Sequence, residues 1–136
     1  GRCPEHRVTA LPVIAIVDDD ASVRDAMGQL VRSFDLAVEL YASGQALLQS
    51  ASIGHIRCVV SDVRMPGIDG FALCTALRAL GLDVPVILMT AYAQDGDEQR
   101  ALDVGATGFL GKPFQEKELL RCLARALASG ESGSGI

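Results

Sequence analysis

The chain has 136 residues, 49% of them hydrophobic, and a formal net charge of -5. That length and apolar content fit one packed domain. The acidic balance, with no run of Lys or Arg, excludes a surface for gripping nucleic-acid phosphates or anionic lipid. Apolar stretches reach only about five residues and no charged start precedes a hydrophobic block, so neither a membrane span nor a secretion signal is expected, and the expected compartment is the cytoplasm.

Residues 1–12 mix Pro, His and Arg without periodicity and are expected to form a flexible leader, in which His6 is a solvated side chain. The first strand is Val13–Val17, apolar throughout as a strand covered on both faces should be, and it runs into Asp18, Asp19 and Asp20. Asp20 is expected to cap a helix whose apolar residues Val23, Met27, Leu30, Val31 and Phe34 recur at helical spacing. Residues 37–41 alternate like a second, more exposed strand, and Ser43 is placed to cap a short helix carrying Ala46, Leu47 and Leu48. A third strand, residues 58–61, ends on Asp62, and the Pro and Gly of residues 64–70 mark a loop. A helix follows with Phe71, Cys74, Leu77 and Leu80 as its buried stripe.

Pro85 opens a fourth strand, residues 86–89, that ends at Thr90. Residues 91–98 read as a loop into a short fourth helix ending near Val104 and Gly105, Phe109 and Leu110 form a brief fifth strand, and Lys112-Pro113 breaks it. The last helix, residues 116–128, turns Leu119, Leu120, Leu123 and Leu127 inward, and residues 129–136 have the composition of a flexible tail or linker. Cys3, Cys58, Cys74 and Cys122 lack C-x-x-C spacing and are expected to be free thiols, two of them small hydrophobes within apolar periodic segments.

Strands alternating with helices predict an α/β fold with a parallel sheet, right-handed crossovers and helices on both faces. Ligands of such sheets sit beyond the carboxyl ends of the strands. Asp18, Asp19, Asp62, Thr90 and Lys112 all fall at or just past those ends. Two carboxylates ~4 Å apart repel by about 4 kcal/mol at an effective dielectric near 20, so the acids call for a cation, and an all-oxygen set suits Mg2+.

The segments IVDDD, SDVRMPGIDG around Asp62, MTAY after the fourth strand and GATGFLGKPF around Lys112 stand in order on the right strand ends. Over residues 13–128 the chain resembles a receiver domain of a bacterial two-component response regulator, of the kind fused to helix-turn-helix output domains. The resemblance implies a doubly wound, flavodoxin-like (βα)5 fold with strand order 2-1-3-4-5. It implies that Asp62 accepts a phosphoryl group from a sensor histidine kinase, and that Asp19, Asp62, the main-chain carbonyl of Arg64 and, mostly through water, Asp18 hold Mg2+. Lys112 would pair with Asp62 and then with a phosphoryl oxygen, before a Pro113 that the family usually joins by a cis peptide. Thr90 and Phe109 would be the switch pair, and Arg64 and Tyr92 would flank the path of the hydrolytic water and set the lifetime of the aspartyl phosphate.

The expected readout surface is the fourth helix, fifth strand and fifth helix, with Leu110 and Gly111 offering part of an apolar face for a partner, including a phosphorylation-dependent second copy. The chain is expected to regulate transcription through an output domain, as an acceptor with slow autodephosphorylation and not as a turnover enzyme. Two alternatives are a phosphohydrolase with an aspartate nucleophile and a constitutive receiver-like interaction module. A hydrolase of that kind places its nucleophile and acid/base aspartates two apart after the first strand, whereas here the best nucleophile ends the third.

Overall fold

A computed structural model describes the backbone of residues 12–135 and side chains through Ala128. The leader up to residue 11, with Cys3 and His6, lies outside the described residues, as does Ile136. The elements in chain order are β1 (Val13–Val17), α1 (Ala21–Arg32), β2 (Ala37–Tyr41), α2 (Gly44–Leu48), a 3-10 turn (Ile53–His55), β3 (Ile56–Asp62), α3 (Gly70–Ala79), β4 (Val86–Thr90), α4 (Asp97–Asp103), β5 (Gly108–Gly111) and α5 (Glu116–Gly135). The strands form one five-stranded sheet in the order β2-β1-β3-β4-β5, and each neighbouring pair is parallel.

Side chains alternate across each strand, and in β1 and β4 both faces are covered, which is why these strands read as unbroken apolar runs, whereas edge strand β2 has no buried residue and carries Glu39. Ala15, Val17, Val59, Val86 and Leu88 face one layer, closed by Leu47 of α2, Phe71, Leu73 and Leu77 of α3 and Ala101 of α4. Ile14, Ile16, Cys58, Val60, Ile87 and Met89 face the other, closed by Met27 and Val31 of α1 and Leu119, Leu123 and Ala126 of α5. Cys58 and Cys74 are buried and Cys122 half-buried, all three as free thiols.

Several expectations need correction. β3 begins at Ile56, before the expected Cys58, because exposed Arg57 interrupts its apolar run. Leu80 is 58% exposed: α3 stops at Ala79, Leu80 is its C-cap, and Leu73 takes the expected place in the stripe. Leu120, 44% exposed, sits about 100° around the helix from the buried Leu119 and Leu123. Phe34 lies past α1, in a turn closed by Asp35 at φ 64, yet still packs on the α1 layer. Residues 129–135 continue α5 instead of leaving it at Ala128, since an existing helix extends through Gly at only about 1 kcal/mol per residue relative to Ala. Among the described residues, no helix is long and apolar enough to cross a membrane.

Candidate functional site at the carboxyl edge of the sheet

The register lines up the strand ends. Val17 stands opposite Ser61, Asp62 opposite Met89, and Thr90 opposite Gly111. Single backbone bonds carry the ladder a step further: Asp18 N–H donates to the Tyr41 carbonyl at 3.1 Å, Val63 N–H to Met89 at 2.8 Å and Lys112 N–H to Thr90 at 2.8 Å. The residues that follow the apolar runs are therefore held by the sheet itself. The loop after Asp62 turns through Gly67 at φ 77, and α3 begins at Gly70, where a Cβ would lie 2.8 Å from the Asp62 carbonyl oxygen.

The acidic triplet divides its work. Asp20 caps α1, accepting from the N–H groups of Ser22 at 2.9 Å and Val23 at 3.2 Å, as its position predicted. Ser43 caps α2 in the same way through Ala46 N–H. Asp18 and Asp19 join Asp62 instead, with one carboxylate oxygen from each lying within 4.8 Å of the others. Asp18 is 1% exposed; its Oδ1 accepts from Asp20 N–H at 2.9 Å, while its Oδ2 is buried without a partner. Such an atom is costly unless something satisfies it. Burial, then the Asp18 charge, pushes the Asp62 carboxyl above its ordinary range. Burial raises Asp18 as well. A mutually repelling, all-oxygen set, graded from buried Asp18 through half-buried Asp62 to exposed Asp19 and carrying one unsatisfied buried oxygen, fits a hard divalent cation.

Thr90 is 1% exposed, and its hydroxyl is likewise buried without a partner. A cavity of about 240 Å3 opens between Asp62, Arg64, Thr90, Ala91, Tyr92 and Gln94. Lys112 is half-buried before a cis peptide to Pro113. The expected direct Lys112–Asp62 pair does not close: the ammonium draws both Asp62 and Asp18 toward the charged form from a distance, whereas the ion pair found among the described residues is Arg64–Asp97. Phe109 is half-buried in β5. With Leu102, which is 64% exposed, it lines the clefts beside α4. Leu110, expected on that face, is 8% exposed and belongs to the α5 layer. Tyr92 is 85% exposed at the cavity rim.

Sequence reasoning did not find Asp97. It is 6% exposed at the start of α4, and Arg64 Nη2 donates to both its oxygens, at 2.9 and 2.7 Å. The Gln94 N–H donates to Asp97 Oδ2 at 2.8 Å. That bond first, then Arg64 and Arg100, holds its carboxyl below the usual range. An acid in the first turn of a helix is a legible signal; a partner 33 residues away is not.

The family model described as the response regulator receiver domain matches residues 14–124. The response regulator protein TodT of Pseudomonas putida is 35% identical over 122 residues, covering 90% of this chain and 54% of TodT. The transcriptional regulatory protein FixJ of Bradyrhizobium diazoefficiens is 36% identical over 118 residues, 87% of this chain and 58% of FixJ. The chain thus spans little more than half the length of these curated relatives. Among solved structures, the chemotaxis protein CheY4 of Vibrio cholerae superposes with a TM-score of 0.78 at 32% identity, covering 87% of this chain and all of that one. The FixJ-N crystal structure gives 0.78 at 28% identity, over 86% of this chain and 94% of that one. A receiver match across most of the chain, on a parallel sheet whose strand ends gather three carboxylates, means that this chain belongs to the response regulator receiver domains, which act as phosphorylation-dependent signalling switches.

Proposed function

We propose that Asp62 is the phosphoacceptor, taking a phosphoryl group from a sensor histidine kinase. The observation that carries this reading is the convergence of Asp18, Asp19 and Asp62 around a buried, unsatisfied oxygen beside a cavity that Asp62 itself lines. An Asp62 oxygen attacks the phosphorus in line, the bond to the donor breaks, and an acyl phosphate forms. Asp18, Asp19, Asp62 and the main-chain carbonyl of Arg64 are the residues that would hold Mg2+, which supplies neutralisation of the charge gathering there. Lys112 adds a positive point charge from the β5 side. The Thr90 hydroxyl, with no partner in this state, donates to a phosphoryl oxygen when its loop closes inward. Phe109 then turns toward the vacated space, moving the surface of α4, β5 and α5.

Output through transcription, by a domain beyond this chain, is supported by relatives such as FixJ, which carries that function in its name and of which the matched segment covers only 58%. A phosphorylation-dependent homodimer would use the α4, β5 and α5 face, where Leu102 and Phe109 supply the apolar surface. The compartment is the cytoplasm, with no direct binding of nucleic acid by this chain. Arg64 and Tyr92 at the cavity rim offer no carboxylate or amide to orient water, so the acyl phosphate is long-lived and the chain is not a turnover enzyme. Replacing them together, Arg64→Asn with Tyr92→Glu, should speed dephosphorylation; a double variant that loses phosphate no faster would refute that role.

Thermal melting tests the site. Millimolar Mg2+ should raise the melting temperature, and Mg2+ with beryllofluoride should raise it further, because each binds the folded state. Asp62→Asn should lose the beryllofluoride increment. An unchanged melting temperature with both ligands would refute the proposal.

A further inference from the structure

The Arg64–Asp97 pair joins the loop that follows the proposed phosphoacceptor to the first turn of α4. α4 is seven residues long and buries only Asp97 and Ala101, so little apolar surface fixes it in place. A second contact sits one turn on, where the Arg100 guanidinium lies 4.5 Å above the Phe71 ring at the start of α3. Asp97 is nearly buried, while the Arg64 side chain is 41% exposed and lines the same cavity as Asp62, Thr90 and Tyr92. Only one guanidinium nitrogen, Nη2, is spent on Asp97. Among the described residues, Nε and Nη1 have no protein partner.

We propose that Asp97 is a positioning residue for the phosphoryl site: it anchors the Arg64 guanidinium by one nitrogen across the cavity rim, so that the remaining N–H donors meet an oxygen of the phosphoryl group on Asp62. The proposal rests on Asp62 as the acceptor. A phosphoryl group brings about 1.5 to 2 negative charges and three acceptor oxygens, and the guanidinium fork matches them. Anchoring lowers the entropy cost of that contact, since the long side chain is already held. The arm also covers the in-line approach to phosphorus. Hydrolysis needs water to add there, the bond from phosphorus to the Asp62 oxygen to break, and Asp62 to leave as carboxylate with release of inorganic phosphate. The bridge runs from Asp62 through Arg64 to Asp97, so the same contact ties the first turn of α4 to the phosphoryl group.

The test is the decay of label introduced with acetyl phosphate and Mg2+, in the wild type, Asp97→Asn, Arg64→Ala, the double variant and Asp97→Glu. Asp97→Asn should lose phosphate faster by on the order of tenfold, the worth of one charge-assisted hydrogen bond. Arg64→Ala should do the same, and the double variant should be no faster than Arg64→Ala alone. Asp97→Glu should restore most of the lifetime, which a merely structural role would not do. Wild-type decay in Asp97→Asn, or effects that multiply in the double variant, would overturn the proposal. The amount of label formed by the wild type reports on Asp62 and the ratio of decay rates on Asp97, so the two readings fail separately.

Discussion

Thr90 buries a hydroxyl that bonds to nothing, and a buried polar group left unsatisfied costs about 1–3 kcal/mol. Thr90→Val should therefore stabilise the unphosphorylated protein by about 1 kcal/mol in denaturant melts while abolishing the conformational response to beryllofluoride; a destabilised variant would mean that the hydroxyl has a bonding role in this state. The carboxylates store cost in the same way. With its folded pKa raised by burial and by Asp18, Asp62 holds its proton more tightly folded than unfolded. The stability tied to that proton is present below the ordinary aspartate pKa and is lost as pH rises through the raised value. Metal-free protein should thus lose stability as pH climbs above about 4. Asp62→Asn should flatten that slope and gain about 1 kcal/mol at neutral pH. Parallel pH profiles for the two proteins would contradict this. Asp18, Asp62, Thr90 and Lys112 were legible because each closes or follows an apolar run. The Arg64–Asp97 pair was not, because its partners are brought together by the β4–α4 loop, which has no pattern of its own.

At the scale of elements, the strands were readable to within two residues because burial on both faces leaves continuous apolar runs in β1 and β4 and partial exposure leaves alternation in β2, and Arg57 hid the start of β3 by facing solvent. Helix ends were harder. Periodicity assigns a face, but it does not say where capping stops a helix, so Leu80 fell just past the end of α3 and Leu120 just off the buried side of α5. The start of α3 is fixed by close approach. A Cβ on Gly70 would meet the Asp62 carbonyl oxygen at 2.8 Å, Leu88 Cδ2 at 2.9 Å and Val63 Cα at 3.0 Å. Two of these are backbone atoms of the acceptor segment that cannot swing aside. Gly70→Ala should destabilise by about 1–3 kcal/mol, the range for overpacking, and should slow labelling by shifting Asp62. Wild-type melting and labelling would show that the segment adapts freely.

For the whole molecule, alternating strands and helices predicted a doubly wound sheet, but the order β2-β1-β3-β4-β5 followed from family resemblance, because pattern alone does not say which strands pair. That order puts β1 beside β3 and so brings Asp18 and Asp19 to Asp62; no local feature of the sequence could do so. The central claim is that this convergence makes Asp62 a phosphoacceptor, and covalent labelling tests it most directly. After incubation with acetyl phosphate and Mg2+, intact-mass and peptide mass spectrometry should find one acid-labile phosphoryl group, on the peptide containing Asp62. The label should be absent when the metal is chelated and absent in Asp62→Asn. Label that persists in Asp62→Asn, or that maps to another residue, would contradict the account.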